Sequence, residues 1–365
     1  HPRQGPGAAD CADTPPALSQ ALGTWSPQRL GGALHNGPMH LVAITSFLAG
    51  LVVVIVGAEL IVRGGSRVGA LLGVSPMILG LTVVAVGTST PEMAVGLTAA
   101  AEGNGGLAVG NIAGTNIVNI LFILGLSAWI KPLPLQLLSL KLDLPVMVIS
   151  AGALLWMAWD GQLSRPEGAL MVGAAVAYTI AMVYMSQRES LPIQQEFSRE
   201  YSASNLLPRV TTLQGTVSVL MLAAGIVVVV VGAELLVTGA VDMARSLGVS
   251  DAVVGLTIVA IGTSAPELAT TIMATLKNER DIAIGNLIGS STYNILFILG
   301  VTCLATPSGV PVDAPLLHVD LPLAALVALL CVPIFVTDRR ISRTEGALFV
   351  TAYAVYLGTL IFVRA

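Results

Sequence analysis

The chain has 365 residues, 55% hydrophobic and 10% charged, with a formal net charge of −4 and a mean hydropathy of +0.84. Soluble domains carry about 25% charged residues. A soluble globular fold is therefore excluded, as is disorder over most of the length, and the scattered Lys and Arg offer no basic face for nucleic acid. Apolar runs such as Leu51–Val56 and Ile226–Val231 do not alternate, unlike the strands of an outer-membrane barrel. An all-α membrane protein with many spans remains.

In chain order, residues 1–38 are rich in Pro, Gly and Ala, lack an apolar core of signal-peptide length and are expected to be a disordered N-terminal extension. Apolar runs of about 20 residues or more, enough to span a bilayer, follow near 41–62, 69–101, 106–130, 143–159 and 167–186. A polar stretch at 187–212 divides the chain and is expected to be a cytoplasmic loop. Five further runs lie near 213–237, 244–276, 282–304, 318–337 and 344–363. Cys11, Cys303 and Cys331 form no CxxC pair, and His1, His35, His40 and His318 have no zinc spacing. No cofactor is expected.

The halves are copies. Gly80-Leu-Thr-Val-Val-Ala-Val-Gly-Thr-Ser-Thr-Pro-Glu92 matches Gly255-Leu-Thr-Ile-Val-Ala-Ile-Gly-Thr-Ser-Ala-Pro-Glu267. Gly110-Asn-Ile-Ala-Gly-Thr-Asn-Ile-Val-Asn119 matches Gly285-Asn-Leu-Ile-Gly-Ser-Ser-Thr-Tyr-Asn294. The spacing is a constant 175 residues, as from Glu92 to Glu267 and from Gly125 to Gly300. Five spans per half is an odd number, so the second copy enters the membrane from the opposite face. The expected fold is ten helices in a 5+5 inverted-topology repeat, residues 39–186 and 213–365. With the N-terminus outside, Arg63, Arg67, Lys131, Lys141, Lys277, Arg280, Arg339, Arg340, Arg343 and the basic residues of 187–212 fall in the cytoplasm. Of the membrane body, residues 39–365, only Arg165, Arg245 and Arg364 fall outside. The positive-inside rule then places both termini outside.

Glu92 and Glu267 sit deep in apolar runs with no basic residue in either motif. A structural glutamate would need such a partner, and an ionisable residue in a span is by default functional. Pro91 and Pro266 interrupt the helices and release the carbonyls of Gly87 and Gly262, as in the broken helices that bind cations near the midplane. Thr88, Ser89, Thr263 and Ser264 can be ordinary hydroxyls bonded back to their helix, but beside a glutamate they add oxygen ligands. Gly110, Gly114, Gly285 and Gly289 are explained by close helix approach. Asn119 and Asn294 bring buried amides that need partners. An all-oxygen set suits Ca²⁺ or Na⁺ rather than a transition metal. Glu59 and Glu234, at the ends of spans one and six, are read as interfacial, with a gating role as the lesser alternative, and Asp143 and Asp320 as acids favoured at helix N-termini.

The paired Gly-Thr-Ser-x-Pro-Glu and Gly-Asn-x-x-Gly-[Ser/Thr]-x-x-x-Asn motifs resemble the repeats of the sodium/calcium exchanger family of cation/calcium antiporters, over residues 41–365. The resemblance implies a central site in the second, third, seventh and eighth spans. Its carboxylates would be Glu92 and Glu267, with Thr88, Thr263, Asn119 and Asn294 at the centre. Ser89, Ser264, Thr115 and Ser290 would line flanking Na⁺ sites, with the carbonyls of Ala85 and Ala260 as backbone ligands. Some relatives carry Asp where Asn294 stands, and the potassium-dependent branch uses that acid, so its absence argues against potassium dependence. Tyr293 is bulkier than the usual residue there.

The expectation is a secondary antiporter exchanging Ca²⁺ for Na⁺ across the cell membrane by alternating access, working in the lipid bilayer without an obligate protein partner. A Ca²⁺/H⁺ antiporter is the nearest rival, since buried glutamates also carry protons. A cation channel is disfavoured by the broken-helix repeat. An enzyme is not expected, because Ser89 and Ser264 have no base at motif range.

Overall fold

In the computed structural model the described residues are 39–72, 76–103, 105–135, 139–187, 212–246 and 260–364. The expected extension 1–38 and nearly all of the loop 187–212 lie outside them. The helices are α1 (Met39–Leu72), α2 (Pro76–Leu79), α3 (Ala85–Thr88), α4 (Thr90–Ala101), α5 (Gly105–Ile117), α6 (Gly125–Ile130), α7 (Leu144–Met157), α8 (Arg165–Gln187), α9 (Thr212–Ser246), α10 (Ala260–Thr263), α11 (Ala265–Leu276), α12 (Arg280–Tyr293), α13 (Gly300–Ala305), α14 (Leu321–Asp338) and α15 (Arg343–Arg364). Two-residue strands β1 (Leu133–Pro134), β2 (Gln162–Leu163), β3 (Val310–Pro311) and β4 (Arg340–Ile341) complete it.

Wider π-helical turns join several helices into longer rods: Gly80–Val84 joins α2 to α3, Val118–Leu124 joins α5 to α6, and Asn294–Leu299 joins α12 to α13. Seven of the described helices are long and apolar enough to cross a membrane, and an eighth if Met77–Thr88 and Thr90–Ala101, bent by 44°, are one span. Two of the ten expected runs are not among these: 244–276, which contains 247–259 outside the described residues, and 344–363, occupied by α15. Large apolar side chains such as Leu48, Val52, Ile149, Ile180 and Val227 face outward, which suits lipid. Trp129 at one end, with Trp156 and Trp159 at the other, are exposed as in an interfacial aromatic belt. The rods Gly105–Ile130 and Arg280–Ala305 are the most enclosed.

The copies pack reciprocally. A Cβ on Gly57 would fall 2.4 Å from the Val229 nitrogen, and one on Gly232, its equivalent, 2.6 Å from the Val54 nitrogen. Gly50 approaches Leu236 while Gly225 approaches Ile61, and Gly64 approaches Leu222 while Gly239 approaches Phe47. As α1 advances its partner residue on α9 recedes, so these equivalent helices run antiparallel in backbone contact, which only glycine permits. Gly285 and Gly289 approach Met77, Gly80 and Leu81 as closely, confirming the small-residue reading there. The places that symmetry gives Gly110 and Gly114 as partners fall at 252 and 256, outside the described residues.

Elsewhere the halves exchange partners. Gly125 of α6 meets Gly346 of α15, and Gly300 of α13 meets Gly168 of α8. β1 pairs with β4 and β2 with β3, both antiparallel.

One end of the molecule collects cations. Lys277 reaches Glu59 at 2.6 Å, Lys131 reaches Asn278, and an Arg343 nitrogen donates to the Ile130 carbonyl at 3.3 Å. Arg165 donates to the Leu304 carbonyl at the other end, at 3.1 Å. α1 also runs past the expected stop at 62. Its 34 residues amount to about 51 Å at 1.5 Å each, longer than the ~30 Å hydrocarbon core, so exposed Arg63 and Arg67 lie on a continuing helix.

Candidate functional site

Both glutamates stand where a helix restarts. The backbone leaves helical geometry at Ser89 (φ −83°, ψ 15°) and at Ser264 (φ −87°, ψ 9°). α4 and α11 begin one residue later, with Pro91 and Pro266 in their opening positions and Glu92 and Glu267 in their first turns. Proline suits that position because its absent N–H has no partner to lose there. The carboxylates thereby lie at the positive end of a helix dipole, one of the few stabilising influences on a buried anion.

The expected release of carbonyls is realised unequally. Thr90 Oγ1 donates to the Gly87 carbonyl at 2.7 Å, so the acceptor that Pro91 abandons is taken up locally. Ala265 stands at the equivalent place and has no hydroxyl to do the same for Gly262.

Ala85, Thr88, Ser89, Glu92, Thr115, Asn119, Ser264, Glu267, Ser290 and Asn294 are all buried, and Thr263 is half-buried. α3 packs on α12, and α10, which Ala260 opens, packs on α5. Hydrogen bonds join part of the expected set. Ser89 Oγ donates to Glu267 Oε1 at 2.9 Å and lies 3.2 Å from Ser290 Oγ. Ser290 Oγ donates to the Ala85 carbonyl at 3.4 Å, a carbonyl that also accepts from the Ser89 N–H at 3.0 Å. Asn294 Nδ2 donates to Asn116 Oδ1 at 3.3 Å, and Asn116 Nδ2 to the Ser291 carbonyl at 3.0 Å. Glu92 lies within electrostatic reach of Glu267.

Several buried oxygens have no hydrogen-bond partner among the described residues: both of Glu92, Glu267 Oε2, Ser264 Oγ, Asn119 Oδ1 and Asn294 Oδ1. Unpartnered buried polar groups are costly, and hard, oxygen-only donors of this kind are what Na⁺ or Ca²⁺ accepts. No group of three or more His, Cys, Asp or Glu occurs among the described residues. The donors beyond the carboxylate pair are therefore amides, hydroxyls and carbonyls.

Asn286 is a residue the sequence reading passed over. Its Oδ1 accepts from Thr88 Oγ1 and its Nδ2 donates to Thr271 Oγ1, both at 3.2 Å. The Gly-Asn that opens both copies of the second motif is the signal that marks it. Asn119 and Asn294 lie on the first turn of the π-helical segments Val118–Leu124 and Asn294–Leu299, geometry that hydrophobic periodicity does not reveal and that often marks functional sites.

Tyr293 turns away from the centre. Its hydroxyl lies 2.6 Å from Thr179 Oγ1 and its ring 5.9 Å from that of Tyr178. Tyr178 in turn donates to Asp143 at 2.9 Å. Asp143 is thus buried and bound to a tyrosine rather than capping α7. Glu59, expected at the interface, is partly exposed and ion-paired with Arg63 and Lys277.

The sequence profile described as "Sodium/calcium exchanger protein" matches residues 42–184 and 217–362. The chain belongs to the sodium/calcium exchanger family. CaxA of Alkalimonas amylolytica is 40% identical over 318 residues, 87% of this chain and 98% of that one. The inner membrane protein YrbG of Escherichia coli is 34% identical over 325 residues, 88% and 97% of the two chains. Among solved structures, the sodium-calcium exchanger NCX_Mj superposes with a TM-score of 0.74 at 29% identity, covering 88% of this chain and 99% of that one. The family is one of membrane antiporters, and the all-helical architecture here is similar to that of NCX_Mj.

Proposed function

We propose that this member of the family exchanges Ca²⁺ for Na⁺ by presenting one central site alternately to the two sides of the cell membrane. The observation that carries the reading is the duplicated, fully buried pair Glu92 and Glu267, each in the first turn of a restarted helix, with buried oxygens of Ser264, Asn119 and Asn294 in the same motifs also left without a hydrogen-bond partner among the described residues. Two carboxylates neutralise one Ca²⁺. Several Na⁺ compete for the same oxygens, and that competition couples the two fluxes. Thr88, Thr263, Asn119 and Asn294 complete the centre. Ser89, Ser264, Thr115, Ser290 and the Ala85 and Ala260 carbonyls spread the Na⁺ charges outward.

The reciprocal, antiparallel packing of α1 and α9 supports ten spans in a 5+5 inverted repeat, residues 39–186 and 213–365, with 1–38 a disordered extension and 187–212 a cytoplasmic loop. Clustering of Lys131, Lys277 and Arg343 at one end supports a cytoplasmic assignment for that end and outside termini. A cysteine at Gln195 is then shielded from impermeant thiol reagents in intact cells, and ready labelling overturns the orientation.

The deciding experiment is Ca²⁺ flux in proteoliposomes under a Na⁺, K⁺ or pH gradient imposed singly. Flux driven by Na⁺ and indifferent to K⁺ is expected. Flux driven by pH and indifferent to Na⁺ replaces the reading with Ca²⁺/H⁺ exchange.

A further inference from the structure

The two halves are copies in sequence but are not used alike. α11 presents Ala265, Ala269 and Met273 to α1, where they pack with Val54, Ala58 and Ile61 in one apolar cluster. The equivalent residues of α4, 175 positions earlier, are Thr90, Ala94 and Thr98, and all three are exposed. The equivalent helix α9 contributes Val229 and Ala233 to that same cluster and leaves the α4 face uncovered. The composition agrees with the packing. Alanine and methionine suit a sealed helix contact, whereas threonine hydroxyls suit a wetted one.

Charge follows the same division. Where α1 covers α11, Lys277 at the end of α11 donates to Glu59 of α1 at 2.6 Å. The equivalents of Glu59 and Lys277 are Glu234 and Glu102, both exposed. The motion that brings α9 onto α4 as α1 lies on α11 therefore brings two carboxylates together where the other end has an ion pair.

We propose that Glu59 and Lys277 are positioning residues for exchange: their ion pair holds the α1–α11 end shut, and Glu102 with Glu234 deny the opposite end an equal hold. The protein consequently favours the arrangement seen here, with the α4 face open. The proposal rests on the reading that the site is presented alternately at two ends. Both side chains of the pair are partly exposed, 31% for Lys277 and 25% for Glu59, so solvent screens it. A pair of that kind biases two states by about two- to fivefold. The bias is modest, as a carrier requires, because both states must be visited in each cycle.

The test is electron–electron spin distance measurement on the full chain in nanodiscs without Na⁺ or Ca²⁺, with native cysteines replaced. One label pair is at Ala70 and Leu276, the other at Leu235 and Ala101, all exposed positions. The unaltered charges should give a short first distance and a long second one. Lys277→Gln should move the ratio of the two states about two- to fivefold toward the reverse arrangement. Glu59→Lys with Lys277→Glu should restore it, which a merely structural contact would not do. Glu102→Lys, at an exposed site, should enrich the state with the second distance short. Distributions unchanged by Lys277→Gln, or not restored by the charge swap, overturn the proposal. The readout needs no transported ion, so failure of Na⁺-driven Ca²⁺ flux would sink the cargo assignment and leave this result standing.

Discussion

Glu92 and Glu267 occupy equivalent places: same burial, same first turn of a restarted helix, same preceding proline. Their partners differ. Glu267 accepts from Ser89 of the other half at 2.9 Å, whereas both oxygens of Glu92 lack a hydrogen-bond partner among the described residues. Duplication thus supplied two equivalent carboxylates, and the packing of the halves gave Glu267 a hydroxyl donor and left both oxygens of Glu92 without one among the described residues. An exchanger gains from that inequality. A site satisfied without ions would bind nothing, and one with every oxygen orphaned would not hold together in their absence.

The strongest way to break the comparison is to neutralise each acid. Glu92→Gln and Glu267→Gln should each lower Ca²⁺ uptake by inverted vesicles by at least about 100-fold, the scale of losing a ligand worth roughly 3 kcal/mol. Their ion-free stabilities should separate. Burying an unpaired carboxylate costs several kcal/mol, so Glu92→Gln should raise the melting temperature above that of the unaltered protein in chelator. Glu267→Gln, whose oxygen already has a donor, should raise it less. Equal shifts would mean that the two acids are environmentally alike. Wild-type transport by either variant would remove that residue from the ligand set.

Removing the hydroxyl sharpens the same contrast. Ser89→Ala strips a donor from a buried carboxylate, a loss of about 1.5–3 kcal/mol, and should lower ion-free stability by that order. Ser264 Oγ has no hydrogen-bond partner among the described residues. Ser264→Ala should therefore leave ion-free stability within about 0.5 kcal/mol while raising the Na⁺ concentration needed for half-maximal exchange. Chelator-treated melting curves, paired with Na⁺ titrations of flux, separate the two outcomes.

Much of the candidate site was legible because it is written twice. Recurrence at 175 residues picked out Glu92, Glu267 and their hydroxyl neighbours, of which Thr88, Ser89 and Ser264 are buried and Thr263 is half-buried. The architecture was legible in outline from apolar run lengths, but α1 outran its expected end because two arginines on an exposed helical face do not stop a helix. Cross-repeat partners were not legible. Nothing in spacing says that Ser89 serves Glu267, that Thr88 is held by Asn286, or that Thr90 takes the carbonyl Pro91 abandons, since these depend on how one half is laid against the other. The π-helical turns carrying both asparagines escaped for a related reason: a single wide turn hardly alters the periodicity of an apolar run.

The smallest expected effect concerns the two asparagines. The Asn119 side chain has no hydrogen-bond partner among the described residues, while Asn294 spends its Nδ2 on Asn116 and its Oδ1 has none there. Asn294→Asp replaces that amide by a second acceptor oxygen. It loses the 3.3 Å bond to Asn116, a contact of about 1 kcal/mol, and adds a third negative charge to the centre. One Ca²⁺ then leaves the site at net −1, whereas three Na⁺ bring it to neutrality. The variant should bind Ca²⁺ about tenfold more tightly, a gain of ~1.4 kcal/mol, and turn over more slowly because release is harder. It should also gain K⁺ sensitivity, with a monovalent ion compensating the added charge. Asn119→Asp, on the side with no competing partner, should tighten Ca²⁺ at least as much without the loss at Asn116. Ca²⁺ titration of both variants at fixed Na⁺, with and without K⁺, measures this. Unchanged affinity in both would place the asparagines outside the ion's reach and shrink the centre to the glutamates and their hydroxyls.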